Sequence, residues 1–155
     1  TSPLPHAAAR QRLPAVICSY PRGQDLTTPG ETAIDVTSYA AQIAALLGAH
    51  IIKIKLPTDH LEQSEAQKAY EGARIDVGDQ ASRVRHCMEA SFAGRRIVVF
   101  SGGAAKGTDA VYEDARAIRD GGGNGSIIGR NSFQRSREDA LQMLSRLVDI
   151  YRGRE

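Results

Sequence analysis

Two lysines inside an otherwise apolar run are the residues of this sequence best suited to covalent chemistry. Lys53 and Lys55 interrupt the run from Ala49 to Pro57. On a β-strand their spacing places both side chains on one face. Poor solvation and a neighbouring cation favour the neutral amine of a lysine, which can attack a carbonyl carbon and form a Schiff base. The alternative is an edge strand whose lysines face water and discourage pairing with other chains.

A tyrosine at the end of an earlier apolar run is a candidate partner for this amine. Val16, Cys18 and Tyr20 share one face of the strand predicted at 14–20. We expect the Tyr20 hydroxyl to reach the site to which Lys53 points, because a phenol and an amine suit proton transfer around a Schiff base. The alternative is a half-buried aromatic side chain at a strand end.

Glycine-rich segments follow the two later predicted strands. Glycine lets backbone N–H groups approach an anion closely, and an arginine adds a charged fork that suits phosphate. In α/β folds, ligands collect at the carboxyl ends of the strands. We therefore predict a phosphate site formed by Ser101, Gly102, Gly103, Gly129 and Arg130.

Strands and helices alternate along the chain. The apolar periodicities predict strands at 14–20, 49–57, 97–100 and 125–128, and helices at 31–47, 61–71, 79–92 and 108–120. A capping box at Ser136 and Asp139 opens a last helix. The apolar side of that helix is predicted to carry Leu141, Leu144, Val148 and Tyr151. This order predicts an α/β fold with a parallel sheet covered by helices.

Composition predicts one globular domain over residues 1–155, with 41% hydrophobic and 25% charged residues. A net charge of +2 gives no strong attraction to nucleic acid or membrane, and no apolar run is long enough to span a bilayer. Cys18 and Cys87 do not indicate a disulfide framework, so we expect a cytoplasmic protein. No metal is expected, because ligand-like spacing is lacking among His6, His50, His60 and His86.

Four segments in order resemble the archaeal and bacterial type of class I fructose-1,6-bisphosphate aldolase. They are Ser19–Gly23, Leu47–Lys55, Phe100–Gly103 and Ile128–Arg135. The resemblance covers nearly the whole chain. It implies a (βα)8 TIM barrel of which this chain is strands five to eight, the carboxyl-terminal half.

The resemblance also implies roles for individual residues. Lys53 would be the Schiff-base lysine and Tyr20 the acid/base residue, with Lys55 and Arg22 as supporting charges. The substrate 1-phosphate would be held by Ser101, Gly102, Gly103, Gly129 and Arg130. The substrate would be fructose 1,6-bisphosphate, and no cofactor is implied. Cys18 departs from the family, because many relatives carry tryptophan there.

The same resemblance implies that the first four strands of the barrel, with an active-site aspartate, are not in this sequence. Four strands cannot close a barrel, since a whole one needs about 250 residues. We therefore expect an exposed sheet face, covered by the missing amino-terminal half or by homo-oligomerisation, and no well-behaved monomer. Two other functions remain open. One is a related lysine-dependent aldol transferase or thiolase acting on a ketose or diketone phosphate, and the other is a non-catalytic phosphate-binding half-barrel.

Overall fold

The computed structural model describes residues 4–103 and 105–155, which form a four-stranded sheet with helices between its strands. The strands are β1 (Val16–Cys18), β2 (Ile51–Lys55), β3 (Ile97–Ser101) and β4 (Ser126–Ile127). The helices are α1 (Leu4–Arg10), α2 (Ile34–Leu46), α3 (Ser64–Ala73), α4 (Gln80–Ala90), α5 (Thr108–Asp120), α6 (Arg130–Phe133) and α7 (Arg137–Tyr151), with a 3-10 turn at Gly30–Thr32.

All four strands are parallel and lie in the order β1-β2-β3-β4, which confirms the predicted parallel sheet. Strand β2 pairs with a neighbour on each side, so the edge-strand interpretation of the lysine run is wrong. Lys53 is aligned with Cys18 on β1 and with Val99 on β3. Lys55 is aligned with Ser101 at the carboxyl end of β3.

The two faces of the sheet differ in burial because side chains alternate along each strand. Ile52, Ile54, Val98 and Phe100 are fully buried in the main core cluster, where they meet side chains from helices α2, α4 and α5. The opposite face carries the lysines and is open. Its other side chains include Val16, Ile97 and Ile127, which are 54%, 47% and 44% exposed. The predicted exposed sheet face is therefore present.

The turn between α2 and β2 sets the start of the lysine strand. The N–H of Ala49 donates to the carbonyl of Ala44 at 3.1 Å, and that of Gly48 donates to Ala45 at 3.1 Å. Gly48 has a φ of +88°, which glycine adopts without steric cost. These two bonds form a Schellman motif, the helix ending that glycine at this position favours. It reverses the chain so that β2 begins two residues after Ala49.

The last helix starts as predicted but packs through other residues. The Ser136 hydroxyl accepts a hydrogen bond from the Asp139 N–H at 3.1 Å, as a capping residue should. The predicted apolar side is wrong, because α7 packs on α5 through a different stripe, consisting of Met143, Leu147 and Ile150. Tyr151 is half-buried beside that stripe. Between 39% and 51% of the surface remains exposed at Leu141, Leu144 and Val148.

Several element boundaries also differ from the predictions. Strand β1 has three residues instead of seven, and α2 begins at Ile34 after the 3-10 turn that contains Glu31. The β1 ladder is nevertheless extended by one bond, since the Ser19 N–H donates to the Lys53 carbonyl at 2.9 Å. No helix within 4–103 or 105–155 is both long and apolar enough to cross a membrane.

Candidate active site

An open cleft of about 720 Å³ lies at the carboxyl ends of the strands. All nine residues that the sequence nominated contribute to its lining. They are Tyr20, Arg22, Lys53, Lys55, Ser101, Gly102, Gly103, Gly129 and Arg130. The reason is topological, because every strand of a parallel sheet ends at the same edge.

Lys53 and Tyr20 face each other in this cleft. The Lys53 Nζ atom lies 5.9 Å from the centroid of the Tyr20 ring. Tyr20 comes just after the bond from the Ser19 N–H to the Lys53 carbonyl, which fastens the end of β1 to the middle of β2. Both side chains are half-buried. An amine and a phenol are therefore held over one space that a small molecule can enter.

Lys55 is paired with a carboxylate that the sequence did not single out. Its Nζ atom lies 2.7 Å from Glu31 Oε2, and Arg22 forms an ion pair with the same oxygen. Burial lowers the pKa of Lys55, and the nearby Arg22 guanidinium lowers it further. Glu31 neutralises part of this charge, so Lys55 belongs to a cluster of two cations and one carboxylate. Glu31 lies in the 3-10 turn before α2, and the apolar periodicity of the sequence does not show which cation its carboxylate meets.

One backbone donor of the glycine segment after β3 forms a hydrogen bond within the sheet. The N–H of Gly102 donates to the Ile127 carbonyl at 3.2 Å, so this donor is already satisfied. Gly103 has a φ of +65°, in the left-handed region. Arg130 reaches across from the neighbouring loop and donates to the Gly103 carbonyl at 3.2 Å. Two of the predicted phosphate residues, Gly103 and Arg130, are thus in direct contact across the two loops.

Asn131 ties these two loops together and was not predicted. Its side chain is buried, and its amide donates to the Gly102 carbonyl at 3.1 Å while accepting from the Lys106 N–H at 2.8 Å. One amide thereby bonds to the backbones of both Gly102 and Lys106. Arg135 reinforces the junction by donating to the Asn131 carbonyl at 2.6 Å.

Lys106 is a further cation of the cleft that the sequence interpretation missed. It lines the cleft and forms an ion pair with Asp114 of α5. The sequence signal that could have identified Lys106 is its position shortly after the glycine segment. The pairing with Asp114 depends on how α5 packs, which spacing alone does not reveal.

The remaining candidate ligands form ordinary hydrogen bonds. His50 accepts from the Ala15 N–H at 3.0 Å, His60 lies 2.8 Å from Glu62, and His86 lies 2.7 Å from Tyr70. Across the described part of the chain, no three His, Cys, Asp or Glu side chains are grouped so as to hold a metal ion.

The two cysteines are both free and differ in environment. Cys87 is buried in the core, and burial raises its pKa to about 12. Cys18 is exposed on the open face of the sheet.

Comparison with known proteins identifies relatives among aldolases. The model of the DeoC/LacD family aldolases matches residues 4–135. The chain is 32% identical to a probable fructose-bisphosphate aldolase class 1 of Chlamydia muridarum, over 90% of this chain and 43% of the relative. It is 31% identical to a fructose-bisphosphate aldolase class 1 of Thermoproteus tenax, over 94% of this chain and 46% of the relative.

Solved structures agree with these relatives. A crystal structure of an archaeal fructose 1,6-bisphosphate aldolase superposes with a TM-score of 0.72 at 29% identity, covering 96% of this chain and 49% of that one. A second archaeal structure, with its catalytic lysine covalently bound to the carbinolamine intermediate of the substrate, has a TM-score of 0.71 at 28% identity. The superposition covers 95% of this chain and 48% of that one.

The chain thus spans about half the length of the curated relatives it matches. Its structural neighbours are TIM-barrel aldolases, and its parallel sheet with alternating helices reproduces about half of that fold, which confirms the predicted fold class. The match of the family model over most of the sequence agrees with the aldolase resemblance carried by the four segments. This chain belongs to the DeoC/LacD aldolase family.

Proposed function

We propose that this chain supplies the Schiff-base half of a class I fructose-1,6-bisphosphate aldolase. The observation that carries the proposal is the placement of Lys53 Nζ 5.9 Å from the Tyr20 ring, in a cleft that also contains the glycine segments after β3 and β4. The amine is the nucleophile, the phenol is the proton carrier, and the glycine segments with Arg130 form the phosphate site.

The reaction follows from these groups. The Lys53 amine adds to the C2 carbonyl of fructose 1,6-bisphosphate, and loss of water from the carbinolamine leaves an iminium ion. A base removes the C4 hydroxyl proton, the C3–C4 bond breaks, and its electron pair moves to the iminium as an enamine. Glyceraldehyde 3-phosphate leaves. Protonation of the enamine at C3 and hydrolysis release dihydroxyacetone phosphate. Tyr20 is the acid/base group for these proton transfers.

The phosphate on C1 is assigned to the two glycine segments. The residues are Ser101, Gly102, Gly103, Gly129 and Arg130, and the proximity of Arg130 to the Gly103 carbonyl supports treating them as one site. Lys55 and Arg22 act as supporting charges. No metal or organic cofactor is required, because the iminium is the electron sink for cleavage.

The open face of the sheet supports the proposal that this chain associates with a partner. Val16, Ile97 and Ile127 leave apolar surface on the side that carries Lys53. We propose one domain over residues 1–155 that associates with the amino-terminal half of the barrel or with another copy of itself. The proposed reaction belongs to glycolysis and gluconeogenesis, and the free thiol of buried Cys87 agrees with a cytoplasmic protein.

Borohydride trapping tests the nucleophile. Incubation with dihydroxyacetone phosphate and borohydride should add one reduced substrate to the chain, and peptide mass spectrometry should locate it on Lys53. Lys53→Met should abolish the adduct. The matched control is Lys68→Met, since Lys68 is exposed on α3 away from the cleft. An equal adduct in Lys53→Met would refute the assignment.

A non-catalytic phosphate-binding half-barrel is the second candidate, because the sheet is open and about half of each relative is matched. Inorganic phosphate binding without any trapped adduct would favour it. A trapped adduct without cleavage of fructose 1,6-bisphosphate would instead favour a related aldol transferase or thiolase, which other ketose or diketone phosphates can test.

A further inference from the structure

A groove of about 660 Å³ lies between helices α2, α3 and α4, and it shares no lining residue with the cleft that contains Lys53. Its volume falls within the range of small-molecule sites, which is about 300–1,000 Å³. The proposed aldolase reaction uses none of the side chains that line it. Four of these carry aromatic rings, namely Tyr39, Tyr70, His86 and Phe92.

The small residues of α3 leave this space open. Ala66, Ala69 and Tyr70 are spaced so that they lie on one side of α3, and all three line the groove. No residue of α3, a helix that the structure describes completely, is buried. Tyr70 bridges the gap, because its hydroxyl lies 2.7 Å from His86 Nε2 on α4 and 3.3 Å from Ser38 Oγ on α2. The two alanine side chains are too short to fill the space beside it.

The charges in the lining are negative. Asp35 and Glu89 contribute two carboxylates, and the described residues of the lining include no lysine or arginine. Asp35 is only 8% exposed, and its two carboxylate oxygens accept the N–H groups of Glu62 and Gln63 at 3.1 and 3.0 Å, which fix its position. Glu89 is exposed to solvent on α4. Because burial lowers the pKa of His86 below its ordinary value of 6.5, this ring is neutral at pH 7.5 and does not offset the two carboxylates.

Aromatic rings and carboxylates together suit a cation that also has an apolar part. The face of an aromatic ring attracts a cation that lies within about 6 Å of its centroid. Phe92 already makes one such contact, since the guanidinium of Arg96, which does not line the groove, lies 5.5 Å from the centroid of its ring. An anion would be repelled by Asp35 and Glu89. The groove is therefore opposite in character to the catalytic cleft, whose lining is rich in lysine and arginine.

We propose that the groove between α2, α3 and α4 binds a small organic cation, which is an ammonium or guanidinium group attached to an apolar or aromatic part. The apolar part packs against the rings of Tyr39 and Phe92 and against the alanines of α3. The cationic group faces Glu89 and Asp35. This site is separate from the proposed aldolase reaction and does not depend on it.

Three probes of the same shape and different charge test the site. At pH 7.5 benzamidine is a cation, benzamide is neutral and benzoate is an anion. The full chain is titrated with each probe at low ionic strength, and binding is followed by saturation-transfer NMR. Benzamidine should bind with a dissociation constant of about 1 mM, at least about tenfold tighter than benzamide, and benzoate should not bind. No binding of benzamidine, or equal affinities for benzamidine and benzamide, overturns the proposal.

Two pairs of variants locate the binding. Glu89→Gln should weaken benzamidine binding about fourfold and leave benzamide binding within about twofold, because it removes the charge and keeps the shape. Glu113→Gln, at an exposed position on α5, changes the net charge equally and should have no effect. Ala69→Leu should fill the groove and abolish benzamidine binding, whereas Ala73→Leu, on the same helix but outside the lining, should retain it.

Equal effects of Glu89→Gln and Glu113→Gln overturn the site, since the probe would then respond only to the overall charge of the protein. Unchanged benzamidine binding in Ala69→Leu also overturns it, since the probe would then bind elsewhere. Urea midpoints equal to that of the wild type show that the variants are folded. Glu89 is exposed, so its replacement by glutamine tests the site even if Ala69→Leu does not fold.

Discussion

The Nζ atom of Lys53 lies 5.9 Å from the centroid of the Tyr20 ring, although Lys53 belongs to β2 and Tyr20 follows the end of β1. The parallel pairing of β1 with β2, extended by the bond from the Ser19 N–H to the Lys53 carbonyl, brings them together. In this arrangement the amine can act as the nucleophile and the phenol as the proton carrier.

Tyr20→Phe should separate these two roles. The phenylalanine keeps the ring but loses the hydroxyl, so the Lys53 adduct should still form while cleavage of fructose 1,6-bisphosphate slows by about 10²–10⁴-fold. Steady-state kinetics and borohydride trapping measure the two effects. Tyr39→Phe is the control, because Tyr39 is exposed on α2 outside the cleft lining. Unchanged turnover in Tyr20→Phe would remove this residue from the mechanism.

Asn131→Ala should loosen the phosphate segments. It removes the partners of the Gly102 carbonyl and the Lys106 N–H, both bonded to a side chain that is only 4% exposed. Leaving such groups unpaired should lower the free energy of unfolding by about 1–3 kcal/mol and weaken inorganic phosphate binding. Urea denaturation and calorimetry provide the measurements. Gln134→Ala, at an exposed neighbouring position, should change neither, and equal values for both variants would contradict the role of Asn131.

His86 should make the protein less stable in mild acid. Burial lowers the pKa of His86 below its ordinary value of 6.5, an effect that nearby Glu89 partly opposes. Between the folded and unfolded pKa values the unfolded chain binds more protons. Stability therefore falls as the pH drops through 6.5 toward the folded pKa, and rises again with pH.

Urea midpoints at pH 7.5 and at lower pH measure this effect of His86. His86→Gln cannot titrate but can still bond to the Tyr70 hydroxyl, so its midpoint should fall less on acidification than that of the wild type. His6→Gln is the control, because His6 is exposed on α1. The same acid sensitivity in His86→Gln and the wild type would refute the assignment.

The two cysteines should report whether the open sheet face is covered. Cys87 is buried with a pKa of about 12, so its thiol should react only on unfolding. Cys18 is exposed and should react first with a disulfide reagent when the chain is alone. Association with another half-barrel should slow the reaction of the Cys18 thiol with the reagent, and stopped-flow thiol titration can measure this rate. Cys18→Ser is the control for the fast phase, and two equally fast thiols would contradict the burial of Cys87.

Local signals predicted the elements that the site needs. Ser136 predicted the start of α7, and the lysine spacing placed Lys53 and Lys55 on one face of a strand. These features depend on neighbours within a few residues, where backbone geometry and side-chain periodicity act directly. The resemblance carried by four short segments supplied the candidate roles.

The sequence by itself therefore determined the order of strands and helices and which residues reach the carboxyl edge of the sheet. Only the tertiary structure decided how the charges there are paired. Glu31 meets Lys55 across 24 residues, and Asn131 meets Gly102 across 29. The packing of α7 through Met143 rather than Leu144 was likewise decided by its neighbour α5. Such contacts depend on the relative placement of distant elements, which no local periodicity encodes.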